Sequence, residues 1–416
     1  MSVLERLPPG QIKSLSILGR LRADLLSKVS AFHNLQSLTL QLNGLVPEEI
    51  ALTSYTALRT LNLSAAKITL DLVPLRLLSQ LTSLTVKRQG GGILPNDLLE
   101  AIGKSTQLQS LYFETPFEGE VDVLSRLPVL TKTSLVITPS EKSEFEEKMR
   151  NPNLKSLRLR IVGEHTAVPS LAFCHRSLES LSIAFGEYEI PDQFLPEHFE
   201  GLKELSVEIH RSNDLPLVIP FASILTSLSL TTRLRISSGR FLKLRLLSQL
   251  TSLSLSCYFN NVRQSIVHDV AIALPRLDHL SVHAIPTISR VLARKFRHLT
   301  MLKSLDVGGV RIGPDFLKMT QSLTLLTSLS ISYRSLNPVH RELLKIGRLT
   351  GLRELSIRND SSRRNKTMSF AGLCELVRCL PELFRLSLTE IFGRNSIVDI
   401  YEIQKNCPQV IEINYR

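Results

Sequence analysis

The chain has no tryptophan, and aromatic residues make up only 6% of its 416 residues. A core without large rings must be filled by aliphatic side chains, and apolar residues reach 43% here. No uninterrupted apolar stretch approaches the roughly 18 residues a membrane-crossing helix needs, so no membrane span is expected. Residues 1–10 also lack the apolar run of a secretory signal. The five cysteines, Cys174, Cys257, Cys374, Cys379 and Cys407, are odd in number and scattered. That pattern excludes a dense disulfide framework and fits free thiols in a reducing compartment. An intracellular location, cytoplasmic or nuclear, is therefore expected. The glycosylation triplets at Asn62 and Asn365 occur no more often than chance allows, and Asn62 falls inside an expected strand. No Gly/Ser or Pro run divides the chain into two composition regimes. One domain over residues 1–416, with a short lead-in at 1–11, is expected.

Reactive chemistry is also missing. His279 and His283 are four apart, but on a strand that spacing separates them by about 13 Å, too far to share one ion. They read as two exposed histidines. Cys374 and Cys379 read as buried apolar fillers on a helix. Gly90-Gly-Gly92 and Gly308-Gly309 lack the flanking residues of a phosphate loop. No Ser, His and acid grouping follows from repeat position. A non-enzymatic protein with no catalytic residue, metal or cofactor is expected.

What the chain does have is one phrase, Leu-x-x-Leu-x-Leu, repeated almost to its end. Its first apolar residue falls at Ile12, Leu35, Leu58, Leu81, Leu108, Leu130, Leu154, Leu178, Leu202, Leu225, Leu250, Leu277, Leu302, Leu326, Leu352, Leu383 and Val410. The steps between these 17 copies run from 22 to 31 residues. A near-constant period in this range marks a solenoid, in which each repeat contacts only its neighbours. Within x-Leu-x-Leu-x the apolar residues alternate, so they share one face of a strand. Stacked copies would merge them into one core behind a parallel sheet. Apolar residues at helical spacing between strands, such as Leu72, Leu75, Leu78 and Leu81, or Leu98, Leu99 and Ile102, predict short covering helices. The fold class is thus α/β: a curved parallel sheet on the concave side and short helices on the convex side. The copy at Leu130 is the weak one, with Thr133 where Leu is expected. Residues 75–84 recur letter for letter at 244–253, which points to segmental duplication.

Leu35, Leu38, Leu40, Asn43 and Leu45 fill the pattern L-x-x-L-x-L-x-x-N-x-L, and the chain resembles the leucine-rich repeat family over essentially its whole length. Later copies depart at the Asn position, with Ala66, Gln89, Pro116, Tyr258 or Arg334. Several copies open with Leu-Pro or Cys-Pro, at Leu127, Leu274, Leu380 and Cys407, which is similar to the cysteine-containing (RNI-like) repeats of intracellular F-box proteins. Leu4-Glu-Arg-Leu-Pro-Pro9 resembles the opening of an F-box, but the first strand follows near Ile12, so a complete F-box is not expected. What this resemblance implies is a substrate-recognition subunit that contacts a ubiquitin-ligase adaptor.

The residue between the two strand leucines should point away from the core, and 12 of these 17 positions hold Ser or Thr. Larger side chains come toward strand ends: Lys87, Arg88, Arg158, Arg160, Arg233, Arg235, Tyr258, Tyr333, Arg334 and Arg358. They are the candidate partner-binding rim. The net charge of +12 makes an acidic protein surface the expected partner. Nucleic acid ranks below it, because the basic segments lack interleaved stacking aromatics. A monomeric interaction scaffold is the expected function. The polar segment within 358–370 predicts a surface loop insertion.

Overall fold

The computed structural model describes residues 10–19, 31–45, 55–67, 80–88, 100, 102–116, 124–137, 151–162, 177–185, 200–209, 224–232, 246–257, 270–283, 294–311, 320–335, 343–359, 370–389, 405, 408, 410 and 412–415. They belong to two compact units, Met1–Leu202 and Lys203–Arg416. The first unit carries β1 (Ser14–Gly19), β2 (Ser37–Leu45), β3 (Thr60–Lys67), β4 (Ser83–Arg88), β5 (Ser110–Pro116), β6 (Lys132–Ile137), β7 (Ser156–Ile161) and β8 (Ser180–Phe185). The second carries β9 (Glu204–Ile209), β10 (Ser227–Thr232), β11 (Ser252–Cys257), β12 (His279–His283), β13 (Ser304–Arg311), β14 (Ser328–Ser335), β15 (Glu354–Asn359), β16 (Arg385–Thr389) and β17 (Glu412–Tyr415). Each of the 17 copies of the phrase supplies one strand. The first lies slightly later than the sequence suggested, from Ser14 rather than Ile12.

Within each unit successive strands pair in parallel, and the phrase sets the register. Leu38 stands opposite Leu15 and Leu61, and Leu253 opposite Leu228 and Leu280. Because side chains alternate along a strand, this alignment stacks every core leucine on its equivalent. Buried and half-buried residues alternate strictly in β8 and β10. Burial of one such Leu contributes roughly 1.5–3 kcal/mol, so the stack gains stability with every repeat. At the end of the first ladder, β1 keeps Leu15 and Ile17 only half-buried.

The turn before each strand follows two rules that the strand pattern alone does not express. The N–H of the phrase's first Leu is bonded to a carbonyl three residues back, as in Leu58 to Tyr55, Leu250 to Leu247 and Leu383 to Leu380. That earlier residue is itself buried in many copies, including Phe32, Tyr55, Leu127, Leu247, Leu274, Leu299, Leu323, Leu349 and Leu380. Pro128, Pro275 and Pro381 sit just after such a residue, where a fixed φ favours the turn. The Leu-Pro pairs are therefore explained by turn geometry. A second brace comes from Thr. One carbonyl of each turn accepts two backbone N–H groups from the next repeat, as Arg59 does from Thr82 and Ser83. Thr82, Thr131, Thr226, Thr251 and Thr327 add their hydroxyls to the same kind of acceptor, at 3.1–3.3 Å.

The weak copy is held by a local repair. Thr133 takes the core position between Leu111 and Leu157 and is 2% exposed. Its hydroxyl has no hydrogen-bond partner among the described residues. The buried Asn151 donates to the carbonyls of Leu124 and Leu127 at 3.1 and 2.9 Å, tying the turn before β7 to the turn before β6.

Helix α1 (Phe370–Arg378) precedes β16 and buries Leu373, Cys374, Leu376 and Val377. It packs on a 3-10 turn, Leu344–Arg348. Gly347 is required there, since a Cβ would lie 2.7 Å from Cys379 Cβ. Two sequence expectations need correction. Cys379 lies just past α1 and is exposed, because the helix ends at Arg378 and turns it outward; only Cys374 is a buried filler. The expected loop at 358–370 is shorter at both ends, since Arg358 and Asn359 complete β15 and Phe370 opens α1. Residues 360–369 lie outside the described residues, as do Leu72, Leu75, Leu78, Leu98 and Leu99 of the expected helices.

Candidate functional site

With the leucines turned to the core, every strand presents three positions to the opposite, outer face. They are the residue before the first strand Leu, the one between the leucines, and the one after the second. In register, these become three columns across each ladder. Neighbouring members of a column stand roughly 4.8 Å apart, and columns on one strand roughly 6.6 Å apart.

In the first unit the first column reads Ser14, Ser37, Thr60, Ser83, Ser110, Lys132, Ser156 and Ser180. The middle column reads Ser16, Thr39, Asn62, Thr85, Tyr112, Ser134, Arg158 and Ser182. Small polar residues are broken by large ones only at Tyr112, Lys132 and Arg158, in three successive strands. Arg160 follows in the third column of β7, between Val136 and Ala184. Lys132, Arg158 and Arg160 are exposed, and Tyr112 is half-buried. Among the described residues no acidic side chain pairs with these three cations. Lys87, by contrast, is held in an ion pair with Glu114 of the next strand.

The second unit carries charge differently. Its middle column is Ser from β9 to β16 except at Asp306 on β13. Asp306 Oδ2 lies 3.0 Å from His283 Nε2 and accepts from Ser281 at 3.4 Å. Burial alone raises the Asp306 pKa. The hydrogen bond and charge of His283, with bonds from Ser330 and Ser281, outweigh it and hold the carboxyl below its ordinary value. The imidazole folds over Gly308, where a Cβ would come within 2.0 Å of Nδ1. His283 remains half-exposed, but it does not stand alone as the sequence suggested; the missing Cβ of Gly308 lets it reach Asp306. His279 is exposed as expected. Further along, Glu354 accepts from Arg385 at 2.6 Å and from Ser328 at 3.2 Å. The outer-face charges that the second unit brings together here are largely neutralised within it.

Of the sequence-predicted rim, Arg158 and Arg160 share β7, Lys87 lies on β4, and Arg358 is exposed on β15 between Ser332 and Thr389. The backbone places Arg88 at the end of β4 and Tyr333 and Arg334 near the end of β14. Arg233, Arg235 and Tyr258 lie outside the described residues, as do residues 4–9. Sequence reasoning missed Lys132, Glu114 and the His283–Asp306 pair. Alignment of the copies flags Lys132 at once, as the one Lys in a column of hydroxyls.

Among the described residues no three His, Cys, Asp or Glu side chains gather as a metal site. No described helix is long and apolar enough to cross a membrane.

No family model matches the chain, and no curated protein matches it. Solved structures similar to it include an internalin of Listeria monocytogenes, at 19% identity and TM-score 0.39, covering 86% of this chain and 88% of that one. A leucine-rich repeat protein of Leptospira interrogans has 19% identity and TM-score 0.36, covering 99% and 97%. TLR13, solved in complex with ssRNA13, has 16% identity and TM-score 0.41, covering 92% of this chain and 62% of its own. The repeated phrase, one strand per copy and the in-register leucine stack give this chain the fold of the leucine-rich repeat proteins, a parallel-sheet solenoid.

Proposed function

We propose that the protein is a non-enzymatic interaction scaffold whose outer sheet face binds a protein partner. The observation that carries this reading is the register itself. It gathers one side chain from each successive repeat into a broad surface of hydroxyls and isolated large residues. Such a surface presents many weak hydrogen-bonding groups and few anchors, so binding energy concentrates where Arg and Tyr interrupt it. The net charge of +12 favours an acidic partner.

The test is capture from a lysate on the immobilised protein, with each captured partner then measured against variants. Ser134→Trp with Ser182→Trp on the first unit, and Ser229→Trp with Ser254→Trp on the second, obstruct the outer face. Gln107→Trp and Glu382→Trp load exposed turn positions and serve as controls. A partner retained by the controls and lost by one of the face variants supports the reading. Equal capture by all variants overturns it.

A further inference from the structure

We propose that Lys132, Arg158 and Arg160, with Tyr112 beside them, form the docking subsite for an extended acidic peptide segment with carboxylates at alternate positions. This rests on the reading of the outer face as a binding surface, and narrows it to one patch and one ligand chemistry.

Three independent departures from the repeat converge at this place. The hydroxyl columns of the first unit are interrupted by Tyr112 on β5, Lys132 on β6 and Arg158 on β7, and by no other large residue from β1 to β8. The core phrase fails on the middle one of these strands, β6, with Thr133 in a Leu position. The β5–β6 ladder loses its register between Tyr112 and Pro116. The β2–β3 and β13–β14 ladders also shift register, but among the described residues only here does such a shift coincide with a polar residue in the core phrase. A repeat protein is expected to break its local rules where function demands it.

Charge and clustering together distinguish this patch: Arg358 on β15 is also exposed, but it stands alone between Ser332 and Thr389 in its column. Lys87 is matched by Glu114, Lys155 by Glu179, Lys303 by Asp278 and Arg385 by Glu354. His283 is matched by Asp306. Lys132, Arg158 and Arg160 have no such match among the described residues, and they stand on neighbouring strands. Ser134 and Ser182 flank Arg158 in its column, and the small Ala184 flanks Arg160. These short neighbours leave Arg158 open on both sides and Arg160 open on the side away from Val136.

Geometry sets the ligand. Arg158 and Arg160 are two residues apart on one strand, roughly 6.6 Å along it. Side chains two apart on an extended peptide have the same spacing, so two carboxylates can each meet one planar guanidinium bidentately. Lys132 adds a third positive charge on the adjacent strand, and Tyr112 adds apolar area at low entropic cost. A nucleic-acid backbone fits less well. Its affinity rests on many phosphate contacts, and three cations with one half-buried ring supply few.

The test uses a labelled peptide alternating glutamate and serine, followed by fluorescence anisotropy at low salt on the full chain. A lysine–serine peptide and a single-stranded oligothymidylate are measured beside it. The glutamate peptide should bind, weaken steadily with salt, and exceed both controls. Lys132 and Arg158 are replaced together by Ser, the usual residue of their columns, and Arg160 by Ala, as at the neighbouring Ala184. This triple change should cost about tenfold or more in affinity, with an unchanged thermal melt. Arg158→Lys should lie between, since it keeps charge and loses the planar fork. Absence of glutamate-peptide binding, tighter oligothymidylate binding through the same residues, or binding unaffected by the triple change each overturns the proposal. If a lysate partner is lost on the Trp-loaded second unit but not on the triple variant, this subsite fails while the scaffold reading stands.

Discussion

Replacement of Thr133 by Val should make the protein more stable. Thr133 faces the core between Leu111 and Leu157, is 2% exposed, and leaves its hydroxyl without a partner. A buried hydroxyl that has given up water and gained nothing costs about 1–3 kcal/mol. Val keeps the branched shape and the χ1 preference while removing the unpaired oxygen. The gain should therefore approach that full cost. For a unit of about 200 residues, each kcal/mol moves the melting temperature by about 2–4 °C. The matched control is Thr131→Val, two residues away. There the hydroxyl donates to the Gln109 carbonyl at 3.2 Å, so the same chemical change removes a bond and should lower stability by at most about 1 kcal/mol. Calorimetry on the three proteins decides the matter. A Thr133→Val protein that melts at or below the wild-type temperature, or that shifts in the same direction as Thr131→Val, refutes the reasoning.

Three other perturbations have defined outcomes. Leu253→Ala deletes a 1% exposed side chain from β11, an interior strand of the second ladder, and should cost about 2–5 kcal/mol, read as a lower urea midpoint with unchanged slope. Gly308→Ala should push the imidazole off Asp306 and destabilise; in a His283→Ala background the added methyl should cost far less, so additive melts would contradict the packing described. Tyr55 is buried, and desolvation pushes its pKa up to about 12. The raised value means its contribution is intact below the ordinary value of about 10 and is lost as pH climbs toward 12. Tyr55→Phe should flatten that alkaline loss in a melting-temperature profile; an identical profile would contradict it.

The strands were legible because one repeated phrase carries both their alternation and their register. The turns were less legible. The buried position three before each phrase is occupied variously by Phe32, Tyr55, Leu127 or Leu247, so it makes no fixed pattern. The role of Thr82 and its equivalents is a hydrogen bond to a neighbouring repeat, which no single repeat displays. At the site, Arg158 and Arg160 could be placed from their column positions. The neutralisation of Lys87 by Glu114 could not, because the partners lie on different repeats and meet only through stacking. The same holds for His283 and Asp306, where the deciding residue is Gly308, a side chain that is absent.

Hydroxyl-radical footprinting of the protein, alone and bound to a captured partner, tests the central claim most directly. Tyr112 lies in the outer face beside Ser134, while Leu18 on β1 is 69% exposed and remote in the column order. The account predicts that partner binding protects Tyr112 from oxidation and leaves Leu18 unchanged. Protection confined to exposed turn residues such as Met301 and Leu325, with Tyr112 oxidised as in the free protein, would contradict it.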